Sequence, residues 1–249
     1  MKNIILIGCC MLVLNACKDR QVSAEESEIT QTQEEDTINS QEEWQTLFNG
    51  KNLEGWKAYN SKSISGQWTV QDSAIAFSPA EGSKRKKEYL ITENDYENFE
   101  LSLEWKISEG GNSGIMWGVK ETRKYHEPYF LSPEIQILDN QRHPDAKNGL
   151  TRTAGALYDL VPPSKDVTKP AGEWNQEVIH IDYKNNKGCV KLNGTKITEF
   201  PLYGEEWDIM VKNSKFSDWK DFGSTRSGKI AFQDHDDKVW FRNIKIKEL

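Results

Sequence analysis

The chain has 249 residues, a formal net charge of −7 at pH 7 and a sequence pI of about 5.3. This acidic balance, without a basic stripe, does not favour binding to nucleic acid. Nine tryptophans and an aromatic content of 10% are enough for a large core or for a surface that stacks on sugars.

The first 17 residues have the pattern of a secretory signal peptide. Lys2 precedes an apolar run over 4–14 that is too short to span a bilayer. The run ends in Leu14-Asn15-Ala16-Cys17, which resembles a bacterial lipobox. The resemblance implies that Cys17 is lipidated, becomes the new N-terminus and anchors the chain to a membrane of the cell envelope. An ordinary signal peptide with an incidental cysteine is the alternative.

Residues 18–42 are rich in Gln, Glu, Ser and Thr and contain few large apolar side chains. They cannot bury enough surface to offset the entropy of ordering, so we interpret them as a flexible tether. Residues 43–249 then form one folded domain. Cys189 is the one cysteine in this domain, which excludes an internal disulfide. Its place in an alternating strand favours packing over a role as a nucleophile.

The folded domain consists of many short predicted strands separated by turns. Apolar and polar residues alternate, most regularly over 99–107, and Asn193-Gly194 is a strong hairpin signal. This pattern predicts an all-β, two-sheet antiparallel sandwich without a long helix. The predicted strands are 66–70, 74–77, 89–92, 99–107, 111–117, 132–140, 174–183, 188–192, 195–200, 228–233 and 239–247, with a further short strand at 155–158. Loops as long as 120–131 and 140–175 are usually functional. Residues 203–224 are a further predicted loop, either irregular throughout or with one helical turn.

Three of these strands place polar side chains opposite an apolar face. Glu134 and Gln136 alternate with Ile135 and Ile137. The stretches 111–117 and 230–235 repeat this arrangement with amides and a histidine, whereas an ordinary solvent face more often mixes Lys, Thr and Ser. The pattern predicts that one side of a sheet is a binding surface. The residues expected to line one cleft are Asn112, Glu134, Gln136, Gln233 and His235.

Eight segments carry a family resemblance. They are Leu47–Trp56, Phe99–Lys106, Gly111–Ile115, Glu134–Asp139, Gly155–Tyr158, Gly172–Asn175, Leu192–Gly194 and Gln233–His235. In this order, and over 43–249, they resemble the 3-keto-disaccharide hydrolase family. Two features depart from the family pattern: Asp236 stands where the family often has glycine, and the segment 205–224 is long.

The resemblance implies a concanavalin A-like jelly roll with a concave substrate face. It also implies cleavage of 3-keto-glycosides, which a separate sugar 3-dehydrogenase forms by oxidation at C3. The ketone makes the C2 proton acidic, so that a base removes it, the C1 substituent leaves by β-elimination and water adds to the new double bond. Such a site needs a base near C2, donors for the enolate oxygen and an acid for the leaving group.

Glu134 is the first candidate for the base or, alternatively, for a metal ligand, and His235 is the candidate for a proton shuttle near neutral pH. Structural roles for both residues, as a buried acid and a capping histidine, are the alternatives. The candidates for contacts with sugar hydroxyls are Asn112, Gln136 and Gln233. Tyr158 is expected either to stack on the sugar or to pack in the core.

Glu104 and Lys106 lie on the outward face of the predicted strand 99–107. They are either a surface ion pair or an acid and an enolate stabiliser, so both are also candidate substrate-binding residues. The sequence does not decide whether the site binds a divalent metal ion. No spacing typical of zinc sites is present. The residues with suitable oxygen and nitrogen donors are Glu134, Asp234, His235 and Asp237.

Two other functions compete with this hypothesis. One is a noncatalytic carbohydrate-binding domain, since the same fold serves both purposes. The other is a conventional glycoside hydrolase such as a glucanase, which is expected to carry paired acids on one strand face; the chain lacks a Glu-x-Asp-x-x-Glu-like pattern. A lectin does not need Glu134 and His235 to converge, so their placement separates the first two functions.

Overall fold

The computed structural model describes residues 43–80 and 87–249. The predicted signal peptide with Cys17 and the predicted tether over 18–42 lie outside the described residues. Within the described part, thirteen strands and one α-helix, α1 (Glu205–Lys212), are present together with three short 3₁₀-helices. The strands are β1 (Gln45–Thr46), β2 (Trp56–Ala58), β3 (Trp68–Gln71), β4 (Ala74–Phe77), β5 (Leu90–Thr92), β6 (Phe99–Ile107), β7 (Asn112–Val119), β8 (Glu134–Leu138), β9 (Asn175–Asp182), β10 (Lys187–Leu192), β11 (Thr195–Phe200), β12 (Lys229–Phe232) and β13 (Val239–Glu248). The 3₁₀-helices are Pro128–Phe130, Pro144–Asn148 and Leu150–Arg152.

The strands form two sheets. The eight-stranded sheet has the order β11-β10-β9-β6-β13-β4-β3, and β1 also pairs with β13. The five-stranded sheet has the order β2-β5-β12-β7-β8. Every pair of neighbours is antiparallel. The predicted all-β, two-sheet antiparallel jelly-roll sandwich is therefore confirmed.

The core lies between the two sheets, where the apolar sides of the alternating strands meet. The five apolar side chains of β6 are at most 2% exposed, while its polar residues are half-buried. Ile115 and Trp117 of β7 and Ile135 of β8 belong to the same core. Because neighbours along a strand point to opposite faces, the other face of the five-stranded sheet carries different residues. A separate apolar cluster there includes Met116 and Ala231.

The structure differs from the sequence prediction at three places. Residues 155–158 do not form a strand, because Leu157 makes only single bridges to Ile135 and Val161. The turn-rich opening of the domain contains β1 and β2, which are too short to show alternation. The segment 203–224 contains α1, which has eight residues. No helix of the described residues is long and apolar enough to cross a membrane.

Candidate active site

A cavity of about 410 Å³ lies on the face of the five-stranded sheet that points away from the core. Its floor comes from β7, β8 and the residues that flank β5 and β12. Its walls come from the three long segments between strands, 120–131, 140–175 and 203–224. The lining residues are Lys87, Tyr89, Asn112, Glu127, Tyr129, Ser132, Glu134, Gln136, Tyr158, Lys215, Phe216, Trp219, Gln233 and His235.

The structure brings together all five residues that the sequence placed in one cleft. Each of them lines the cavity, and Tyr158 joins them from the long segment 140–175. Alternation along the strand explains the placement of Asn112, Glu134 and Gln136, which alternate with core residues of β7 and β8. Gln233 and His235 follow β12 in the turn before β13. Their chemical roles stay predictions.

Glu104 and Lys106 do not line the cavity. Both lie on β6, which belongs to the eight-stranded sheet. Arg242 Nε donates to Glu104 Oε2 at 2.5 Å, and Lys106 Nζ lies 4.6 Å from the ring centroid of Trp240. Each side chain therefore has a partner on its own sheet, and the expected role of the pair in substrate binding does not apply to this cavity.

The floor of the cavity has room for the Glu134 carboxyl group because residue 114 is glycine. Across the β7–β8 pair, Gly114 lies opposite Gln136 and Met116 lies opposite Glu134. A Cβ atom at position 114 would stand 1.9 Å from Glu134 Oε1 and 2.7 Å from Glu134 Cγ. The same glycine accepts a hydrogen bond through its main-chain oxygen from Gln233 N at 2.9 Å. Gly114 thus makes space for the acid and holds the end of β12 beside it.

Glu134 is 9% exposed and forms a side-chain hydrogen bond with Gln233. Burial raises the pKa of Glu134 to about 8, and Asp145 contributes in the same direction, whereas the positive charge of Lys215 opposes the rise. Once ionised, a carboxylate with such a raised pKa is a stronger base than an exposed one.

Lys215 is a cavity residue that the sequence did not single out. Its main-chain N–H donates to Asp159 Oδ2 at 2.8 Å, and its Nζ lies 4.1 Å from the ring centroid of Tyr158. Burial lowers the pKa of Lys215, while the nearby carboxylates Glu134 and Asp159 oppose this change. The unusual length of the segment 205–224 is the one signal in the sequence that this region matters.

His235 faces the cavity as a neutral imidazole at pH 7. Burial, with a smaller effect from Lys87, lowers the pKa of His235 to about 4. Neutral imidazole can accept a proton or bind a metal ion. It can donate a proton to a leaving group only through an N–H that it already carries or after it has gained one.

Aromatic side chains form one wall of the cavity. Trp219 packs against Phe216 with ring centroids 5.1 Å apart and against Tyr129 with centroids 5.9 Å apart. Tyr158 is held in place because its hydroxyl donates to Asp145 Oδ2 at 3.0 Å. Aromatic rings of this kind can stack on the apolar face of a sugar.

Four buried side-chain oxygens of the cavity have no hydrogen-bond partner among the described residues. They are Asn112 Oδ1, Ser132 Oγ, Gln136 Oε1 and Gln233 Oε1. Buried polar groups are normally paired, and those left unpaired in a native structure call for an explanation. Amide oxygens accept hydrogen bonds from hydroxyl groups, so the cavity is suited to a ligand that carries several hydroxyls.

Three side chains beside the cavity converge as potential metal ligands. Ligand atoms of His143, His235 and Asp237 lie within 4.8 Å of one another. Of the expected metal ligands, this group contains His235 and Asp237 but neither Glu134 nor Asp234. The Asp234 carboxylate accepts hydrogen bonds from the main-chain N–H groups of Glu88 and Asp236 instead.

The fold and the cavity together define a class: a β-sandwich protein with an acid-bearing polar cavity on one sheet face. Comparison with known proteins identifies the family within this class. The chain belongs to the 3-keto-alpha-glucoside-1,2-lyase-like domain family, whose model matches residues 43–247.

Similar proteins occur in Bacteroides thetaiotaomicron and Parabacteroides distasonis. A 3-keto-disaccharide hydrolase of Bacteroides thetaiotaomicron is 37% identical over 229 residues, which cover 82% of this chain and 78% of that protein. A crystal structure of a proposed glycosyl hydrolase of Parabacteroides distasonis superposes with a TM-score of 0.77 at 33% identity and covers 84% of this chain and 95% of that chain. A second such structure from the same species has a TM-score of 0.61 at 30% identity, covering 83% and 100%.

Proposed function

We propose that the protein cleaves 3-keto-glycosides, including 3-keto-disaccharides, by β-elimination followed by hydration. The observation that carries this proposal is the buried carboxyl group of Glu134, with its raised pKa, among unpartnered amide oxygens in one cavity. The family and the name of the Bacteroides thetaiotaomicron relative support the substrate class.

In the proposed mechanism, Glu134 as carboxylate takes the proton from C2 of the 3-keto sugar. The electrons of the C2–H bond form an enolate, whose negative charge at the C3 oxygen is stabilised by the ammonium group of Lys215. The enolate then expels the oxygen substituent at C1, which takes the proton now held by Glu134, and a C1=C2 double bond remains next to the ketone. Water adds its hydroxyl to C1 and a proton to C2, so the net reaction is hydrolysis.

The remaining cavity residues orient the sugar. The amides of Asn112, Gln136 and Gln233 accept hydrogen bonds from its hydroxyls, and the aromatic wall packs on its ring. Such positioning contributes to the rate because it holds the C2 proton within reach of the base.

A conventional glycoside hydrolase is the second candidate, because the cavity also contains a second acid, Glu127. The Glu127 carboxylate accepts a hydrogen bond from the Tyr89 hydroxyl at 3.1 Å. Ordinary hydrolysis by two acids requires no ketone and leaves the C2 proton in place.

The test compares 3-keto-trehalose with unoxidised trehalose in deuterated water. We expect glucose release from the keto sugar alone, with deuterium at C2 of the released 3-keto-glucose. Glu134→Gln keeps the size of the side chain but removes the base, so kcat should fall by about 10²–10⁴-fold. Cleavage of unoxidised trehalose without exchange at C2 would favour ordinary hydrolysis, and binding without turnover of either sugar would favour a lectin.

We also propose that Cys17 is the lipidated N-terminus and that the domain acts at the cell envelope, on substrates that a sugar 3-dehydrogenase supplies. The lipobox-like sequence supports this proposal. Cys17→Ala should release the protein from the membrane fraction or leave it unprocessed. Wild-type protein that takes up no acyl label would contradict the anchor.

A further inference from the structure

We propose that His143, His235 and Asp237 form a site for one divalent transition-metal ion, and that this ion binds the C3 oxygen of the substrate. The first half of the proposal stands on the geometry of the three side chains. The second half rests on the proposed function.

The three side chains come from two separate parts of the chain. His143 caps the N-terminus of the 3₁₀-helix Pro144–Asn148, whereas His235 and Asp237 belong to the turn between β12 and β13. Their ligand atoms lie within 4.8 Å of one another. Ligands at about 2.0–2.2 Å from an ion stand about 3–4.4 Å apart, so shifts of less than an ångström complete the site.

The set of two imidazoles and one carboxylate narrows the choice of ion. Imidazole ligands suit Zn²⁺ and similar first-row divalent ions, while Ca²⁺ and Mg²⁺ prefer oxygen ligands alone. Three protein ligands leave further coordination positions open for water or substrate.

A supporting contact fixes the orientation of the carboxylate ligand. Asp237 Oδ2 accepts a hydrogen bond from the main-chain N–H of Asn112 at 3.0 Å. Ligating carboxylates commonly have such outer partners, which hold them in the binding orientation. The same residue, Asn112, has a buried Oδ1 atom without a partner among the described residues, and its side chain lines the cavity together with His235. An ion bound by His235 therefore lies beside the space for the sugar.

Two contacts oppose the binding of an ion. The main-chain N–H of Asp145 donates to His143 Nδ1 at 3.1 Å. An ion at Nδ1 displaces this donor, and an ion at Nε2 requires the tautomer with its proton on Nδ1, which also breaks this bond. Lys87 is a positive charge near His235, and its Nζ lies 3.7 Å from Asp236 Oδ2. That acid offsets part of the repulsion. We therefore expect weaker binding than at a fully preformed zinc site.

At this position the ion acts as a Lewis acid toward the ketone. A cation at the C3 oxygen withdraws electrons from the carbonyl and stabilises the enolate that forms when Glu134 removes the C2 proton. The proton still goes to Glu134, and the ion changes neither its own charge nor the balance of the reaction. Lys215 and the ion thus stabilise the same negative charge.

The first experiment measures binding without turnover. Chelator-treated full-length protein is titrated with Co²⁺, and the visible absorption of the bound ion reports affinity and stoichiometry. We expect one ion per chain, with affinity reduced at least tenfold in His143→Ala and in Asp237→Asn. His126→Ala is the matched control, because His126 is an exposed histidine outside the group, and it should bind like the wild type. Equal affinity in all four proteins, or no binding up to millimolar Co²⁺, would overturn the site.

A second readout keeps the result independent of folding and of the proposed function. Circular dichroism melting identifies any variant that has lost its fold, and His143→Gln is a less disruptive replacement at the same position. With 3-keto-trehalose, chelator should reduce kcat and Zn²⁺ or Co²⁺ should restore it. Full turnover by the stripped protein would overturn the catalytic role while leaving the binding site intact. No cleavage by the loaded protein, with a normal cobalt spectrum, would count against the proposed function alone.

Discussion

Gly114→Ala directly tests whether the position of the Glu134 carboxyl group matters for activity. The added Cβ would lie 1.9 Å from Glu134 Oε1 and 2.5 Å from Glu134 Cδ, so the carboxyl group has to move by at least about 1 Å to reach a tolerable contact. A misplacement of about 1 Å can cost about 10²-fold in rate. Because the clash falls on a side chain and not on the main chain, we expect the fold to survive with a loss of about 1–3 kcal/mol in stability.

The assay is kcat on 3-keto-trehalose together with a melting curve. Gly114→Ala should reduce kcat by about 10²-fold and leave a cooperative unfolding transition. Gly66→Ala is the matched control, since a Cβ there meets no atom within 4 Å, and its activity should equal that of the wild type.

A double mutant separates the effect on Glu134 from a general disturbance of the cavity. If Gly114→Ala acts through the position of the carboxylate, it should cost little more once Glu134→Gln has removed the base, so the two effects should not add. Wild-type activity in folded Gly114→Ala would refute the placement of Glu134 as base. Full additivity in the double mutant would show that position 114 acts by another route.

Three further predictions concern the ionisable side chains of Glu134, Lys215 and Glu177. Because burial raises the pKa of Glu134 to about 8, kcat should rise with pH until Glu134 is ionised; a profile that is flat from pH 6 to pH 9 would contradict its role. Lys215→Met should lower kcat by about 10²-fold and shift this profile to higher pH, since the lysine charge lowers the pKa of Glu134, while Lys106→Met, on the other sheet, should change neither quantity. Burial also raises the pKa of Glu177 to about 8, so its contribution to stability is complete below the unfolded value of about 4.3 and is lost as pH rises through 8. Melting temperatures at pH 5 and pH 9 should therefore differ less in Glu177→Gln than in the wild type, and an unchanged difference would show that the acid is not buried as described.

The sequence by itself determined the class of fold and the strand face on which Asn112, Glu134 and Gln136 lie. Both follow from strand parity, which is a local property: Glu134 and Gln136 must point away from Ile135 and Ile137 once the segment is a strand. The collinear motifs identified the family for the same reason, because they preserve local patterns in a fixed order. Even Gly114 is visible as a glycine in a strand, although its purpose is not.

The tertiary structure alone decided which of these polar faces belong together. Polar and apolar residues alternate in β6 as they do in β8, so Glu104 looked equivalent to Glu134 in the sequence. The pairing of strands nevertheless puts the two residues on different sheets. Pairing depends on contacts between distant parts of the chain, and a local period contains no information about them.

The positions of loop residues and the pKa values of buried groups also depend on the tertiary structure. Lys215 reaches the cavity because its main-chain N–H bonds to Asp159, 56 residues earlier, and His143 meets His235, which lies 92 residues later in the sequence. The raised pKa of Glu134 depends on its burial and on Asp145. Residue types and spacing therefore named the acid, the amides and one histidine, while only the folded chain could supply the cation, the group of potential metal ligands and the burial that raises the pKa of the acid.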